Sequence, residues 1–188
     1  MPATPKVKFK RGFKTFAEKK SVELRAELSI KPSYPLPAEK LVEHLQVPVL
    51  FPHQIPDMDQ ATLSCLRRGS DSHWSGVTLK INKKLLVIIN DSHSKARQQS
   101  SIMHELAHVI CNHEMGQFSH LSHGISLRDY DDGMEKEAEW LGGCLQLPRV
   151  ALHFHYKVYG NSVNEIAEKF NASQDMVKFR LGVCGLYR

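Results

Sequence analysis

The sequence predicts an α+β domain in which a β-hairpin leads into one long helix, with amphipathic helices before and after it. Three observations carry this prediction. Trp74–Ile81 alternates apolar and polar residues, and Leu85–Asn90 is a continuous apolar run, with Asn82-Lys83-Lys84 between them. From about Ala96 to His113 the apolar residues Ile102, Met103, Leu106, Ala107, Val109 and Ile110 recur almost all round a helix, as in a buried one. That helix also carries His104-Glu105-Leu106-Ala107-His108, an H-E-x-x-H motif.

Taken in order, residues 1–10 read as a tail, with two prolines and no periodicity. Residues 11–29 form an amphipathic helix with a weak spot near Ser21-Val22. Three prolines make Lys31–Pro37 a linker. Ala38–Leu45 is a second helix. Val47–Phe51 is β-prone but interrupted by Pro48, so at most an edge strand. Asp57–Arg67 is a further short helix. After the hairpin and the long helix, Gln117–Gly133 is polar and reads as a loop, either a substrate lid or cleft wall or a disordered surface segment. Met134–Leu145 is the next helix, with Ala138, Leu141, Gly142 and Leu145 on its packing face and Pro148 opening a short helix beyond it. Asn161–Leu181 has the outline of a helix-turn-helix. Ser162 and Ser173 are its N-caps, and Asn171 takes the left-handed turn.

The chain of 188 residues is long enough for one domain with a real core. No run of eighteen apolar residues predicts a membrane span, and the lysine-rich N-terminus lacks the apolar stretch of a secretory signal. Cys65, Cys111, Cys144 and Cys184 form no C-x-x-C pair. That argues against a structural zinc site and for a reducing, cytoplasmic setting. The net charge of +5 is local: residues 1–25 carry eight lysines and arginines against Glu18 and Glu23, a balance of +6 that leaves the rest near −1. Such a segment is a solvated helix face and tail, or a contact for nucleic acid or an acidic partner.

His104 and His108, four apart, share one helix face and can aim two imidazoles at one zinc ion. Glu105 lies to the side of that face, where a carboxylate can take a proton from a water the metal activates. Two histidines and a glutamate in so apolar a helix need a partner, and a metal is the simplest one. A hydrolytic zinc site needs a third ligand. The extended H-E-x-x-H motif of one peptidase class would need Gly at 111 and His at 114, where Cys111 and Glu114 stand. His113 leaves the ligand face and reads as a helix-end residue favoured by the dipole. Glu135 and Glu139 lie four apart on one side of the later helix, with Glu137 pointing elsewhere. Either this is a charged surface, or Glu135 is the third ligand and Glu139 holds a ligand imidazole. Tyr130 and His123 are candidates to contact an oxyanion or substrate. An extended substrate would lie beside Trp74–Ile81 as an edge strand. In the C-terminal pair, Gln174, Lys178 and Arg180 are a thin set for DNA, and packing is the favoured role.

These motifs in this order resemble the ImmA/IrrE family of metallopeptidases. The matching pieces are L-L-V-I-I-N, Arg97, H-E-L-A-H-V-I-C-N-H, E-K-E-A-E-W-L-G-G-C-L-Q-L-P and S-V-N-E-I-A-E-K-F-N-A-S. Glu139 stands where the family has Asp or Asn, Gly142 takes the small position, and Leu145-Gln146-Leu147-Pro148 replaces L-L-M-P. The resemblance implies a zincin-like domain over residues 11–150, with a small twisted, mostly antiparallel sheet beside the active-site helix. A C-terminal helical extension, 151–188, packs on it. It implies Zn2+ held by His104, His108 and Glu135, with Glu105 as general base. It also implies a cytoplasmic endopeptidase that cuts a helix-turn-helix repressor. The rival expectation is a non-proteolytic zinc-containing module that binds a repressor or DNA. A weaker one is a zinc hydrolase acting on another bond.

Overall fold

The computed structural model describes residues 9–57, 60–66, 74–81, 84–113, 120–121, 125–127 and 131–186. The helices follow the apolar period. α1 (Phe13–Glu27) turns Phe13, Ala17, Ser21, Leu24 and Arg25 inward. α2 (Ala38–Leu45) buries Ala38 and Leu41, and α3 spans Gln60–Leu66. The expected weak spot in α1 is instead a tie, because the buried Ser21 hydroxyl donates to the Cys144 carbonyl at 2.6 Å. Of the expected tail, residues 1–8 lie outside the described residues, but Phe9 packs on Phe13 and on Trp140.

Five strands form one mixed, mostly antiparallel sheet: β1 (Val49–Leu50), β2 (Gly76–Ile81), β3 (Lys84–Ile89), β4 (His120–Leu121) and β5 (Ile125–Leu127), in the order β1-β3-β2-β5-β4. β2 and β3 are the expected hairpin, in register from Gly76↔Ile89 to Ile81↔Lys84. β1 is the edge strand, parallel to β3. The segment expected to be loop supplies β4 and β5, and β5 pairs with Leu79–Ile81 of β2. Its polar composition hid this, because the open side of β2, not local propensity, provides the pairing. The expectation of β2 as an edge strand is corrected with it. β2 sits mid-sheet, and among the described residues only Gly76–Thr78 is paired on a single side.

α4 (Lys95–Ile110) packs across α5 (Asp132–Gln146). Their contact belongs to a core that also takes in α1, α2 and the inner sides of Val87 and Ile89. Four polar side chains tie down the C-terminal end of α5. Ser21 meets Cys144 O, Arg25 donates to Leu145 O at 2.8 Å, and Arg180 donates to Leu147 O at 3.0 Å. The fourth, Gln146, donates to Asn171 O at 2.8 Å. Orphan carbonyls at a helix end need such partners when buried. A second core joins α6 (Arg149–Leu152), α7 (Val163–Phe170) and α8 (Gln174–Val183). A π-helical turn at His153–Val158, which no periodicity announced, links α6 to α7. Ser162 and Glu165 form a capping box at α7, Ser173 caps α8, and Asn171 sits left-handed at φ 47° between them. Gln99 on α4 donates to Phe170 O at 3.0 Å, so this helical pair is fastened to the active-site helix.

No helix among the described residues is long and apolar enough to cross a membrane. Cys111, Cys144 and Cys184 are free thiols. The basic N-terminal charge is partly absorbed by the fold. Arg25 is buried, Lys14 lies 4.0 Å from the Trp140 ring centroid, and Lys10 pairs with Glu137 at 3.5 Å.

Candidate active site and metal centre

Two local devices set the stage for α4. Buried Asn90, at the end of β3, donates to Trp74 O at 3.2 Å, and Ser94 caps the helix by accepting from Arg97 N. Gln98 then donates to Asp91 O and His93 O, which pins the first turn of α4 to the strand end. On the opposing helix, the Asp131 side chain accepts from Gly133 N and Met134 N at 2.8 Å each, and Glu135 falls in the first turn of α5. Gly142 lets the helices close. A Cβ there would lie 3.3 Å from His104 Cα, His104 N and Met103 O.

This packing brings three sequence-distant donors together. His104 Nε2 lies 3.2 Å from Glu135 Oε2, His108 Nε2 lies 3.4 Å from Glu135 Oε1, and the two Nε2 atoms are 3.1 Å apart. One ligand atom from each residue falls within 4.8 Å of the others. Burial first, with the neighbouring imidazoles, pushes His108 down to about 4 against the pull of Glu135, so it is neutral near pH 7. Hydrogen bonds from His104 and His108 hold Glu135 down to about 2, so it is an anion. Burial lowers His104, but its hydrogen bond with Glu135 and the charges of Glu105, Glu135 and Glu139 outweigh it and raise the pKa overall. Two imidazoles and one carboxylate are a donor set that suits zinc, with room left for a water, so these residues fit that ion.

Glu105 is 8% exposed and accepts a hydrogen bond from the buried Thr78 hydroxyl of β2. It lines a cleft of about 690 Å³ whose walls are Trp74–Thr78, the N-terminal half of α4, Glu135 and Glu139. At Gly76, where the strand runs past Glu105, a Cβ would come within 3.3 Å of Glu105 Cγ. Arg97 stands exposed at the rim and donates to Ser75 Oγ at 3.0 Å. No sequence signal beyond its place before the motif had marked it.

Two sequence expectations change here. Glu139 is exposed at the rim of the cleft and reaches His104 through its charge, with no hydrogen bond to a ligand ring among the described residues. The partner behind a ligand is His113, which is buried and lies 2.9 Å from His108, Nδ1 to Nδ1. Glu137, read as pointing elsewhere, is equally buried, its Oε2 3.2 Å from His113 Nε2. The cause is the end of α4. Asn112 turns left-handed at φ 50°, Asn112 N bonds Val109 O, and His113 N bonds His108 O at 3.1 Å. This paired closure folds the chain back, so the residue after Asn112 lands against the ring three positions inside the helix. An Asn at that place was the available signal. Tyr130 and His123 lie outside the described residues. Arg180, one of the thin set weighed for DNA where packing is the favoured role, is buried and bonded to Glu18 at 2.5 Å.

A family model described as Peptidase_M78, IrrE N-terminal-like domain, matches residues 66–182. No curated protein matches the chain. One solved structure, a Mycobacterium tuberculosis transcriptional regulator, aligns with 93% of this chain at 14% identity and a TM-score of 0.49, and this chain spans 48% of that one. The family match begins ahead of the β-hairpin, takes in α4 and α5 with His104, Glu105, His108 and Glu135, and reaches the last helix. With more than half of its residues so matched, the chain belongs to the Peptidase_M78 family and carries an IrrE N-terminal-like domain of metallopeptidase type.

Proposed function

We propose that this chain is a zinc-dependent endopeptidase with His104, His108 and Glu135 as ligands and Glu105 as general base. The observation that carries the reading is the convergence of three ligand atoms, two of them from residues that line the same cleft as the buried Glu105 carboxylate. Zinc held there would act as a Lewis acid on a peptide carbonyl and supply a nucleophilic water near neutral pH. The Thr78 hydroxyl orients Glu105 from behind, and a carboxylate oxygen takes the proton from that water. Glu105 then delivers the same proton to the departing amine. Gly76–Thr78, with one side of its backbone toward the cleft, supports binding of the substrate as an added strand. Arg97 at the rim would meet a substrate carbonyl or carboxylate.

The family resemblance supplies the substrate class, a helix-turn-helix repressor in the cytoplasm. Wild type and Glu105→Gln should be incubated with the helix-turn-helix repressor encoded nearest to it, with zinc content measured in parallel. Equal zinc and cleavage by wild type alone is the expected result. Zinc in both proteins and cleavage by neither would favour a non-proteolytic regulatory module, and cutting by Glu105→Gln would remove the general base.

A further inference from the structure

We propose that His113 and Glu137 are positioning residues that hold His108 in the tautomer a metal requires. The inference rests on the zinc reading above and adds two residues to it. Glu137 Oε2 lies 3.2 Å from His113 Nε2, and His113 Nδ1 lies 2.9 Å from His108 Nδ1, so the three side chains form one chain of buried polar contacts. In the proposed relay His108 Nδ1 donates to His113 Nδ1, and His113 Nε2 donates to the carboxylate. With its proton on Nδ1, His108 turns a lone pair at Nε2 toward Glu135 and His104.

The three groups come from separate places. His108 lies inside α4, His113 just past its end, and Glu137 on α5. They are 0, 5 and 5% exposed, so water competes little for these bonds. Lys10 closes the far end at 3.5 Å from Glu137, but its side chain is 80% exposed and it adds little.

The test compares zinc dissociation constants, by chelator competition, for wild type, His113→Ala and Glu137→Gln. Urea unfolding of each zinc-free protein separates affinity from folding. His113→Ala should bind zinc about 10- to 100-fold more weakly. Glu137→Gln keeps an acceptor oxygen but loses the charge, and should show a smaller loss in the same direction. Cobalt(II) loaded into His113→Ala should give visible bands of altered shape, which a loss of stability alone does not produce. Tight zinc in wild type with affinity unchanged to within twofold in both variants would overturn this inference and leave the zinc reading standing. No zinc in wild type would overturn both. If His113→Ala does not fold, Glu137→Gln decides, and an unchanged constant there counts against the relay.

Discussion

Replacing Gly142 with valine should weaken the fold and the metal site together. A Cβ at this position lies 3.3 Å from three backbone atoms of α4, against about 3.5–4.0 Å for a relaxed carbon contact. Alanine therefore asks the helices to part by a few tenths of an ångström. Valine adds two methyl groups about 1.5 Å further out, which backbone atoms cannot avoid by changing rotamer. Overpacking of this kind costs about 1–3 kcal/mol. Leaving glycine in a helix interior returns roughly 0.4 kcal/mol of propensity. The net loss is about 0.6–2.6 kcal/mol, and with a urea slope near 2 kcal/mol/M the unfolding midpoint should fall by roughly 0.3–1.3 M. The same variant separates His104 on α4 from Glu135 on α5, so its zinc affinity should drop. Gly142→Val that unfolds at the wild-type midpoint and binds zinc equally well would refute the claim that this contact sets the site.

Other perturbations probe other parts of the account. Arg25→Met removes the donor to Tyr34 O and to the buried Leu145 O, so urea unfolding should register a loss of about 1–3 kcal/mol. A change under 0.5 kcal/mol would mean that the end of α5 is held by other means. Ser162→Ala breaks the capping box of α7 and should cost about 1 kcal/mol by the same assay. Burial first, then the charge of Glu137, pushes the Cys111 thiol up to about 11, so alkylation by iodoacetamide should be slow at pH 8. Its rate should climb with pH as thiolate forms, and Glu137→Gln should speed it at pH 8. Rapid labelling of Cys111 in wild type at pH 8 would contradict the burial described here.

Local pattern was legible where one physical period dominated. The hairpin, α4, α5 and the capped pair α7–α8 could be read from alternation, helical spacing and Ser, Asn and Pro at their ends. Glu135 could be nominated because a hydrolytic zinc site needs a third ligand and the family resemblance implies that role for it. What stayed hidden depends on chain reversal or on partners far away in sequence. β5 exists because β2 offers it an open side, and its own residues are too polar to announce a strand. His113 falls off the ligand face of an ideal helix, and only the left-handed turn at Asn112 swings it behind His108. Glu137 was set aside for the same reason: His113 comes within reach of it only through that turn. The partner of buried Arg180 is Glu18, 162 residues earlier, a pairing no local pattern could show.

The most direct test of the central claim is zinc per chain in purified protein. The set is wild type, Glu105→Gln, Glu139→Gln and single alanine replacements of His104, His108 and Glu135. The account predicts one equivalent in wild type, in Glu105→Gln and in Glu139→Gln, and a marked loss in each of the three alanine variants. Full zinc retained by His104→Ala, His108→Ala or Glu135→Ala, or no zinc in wild type, would contradict it.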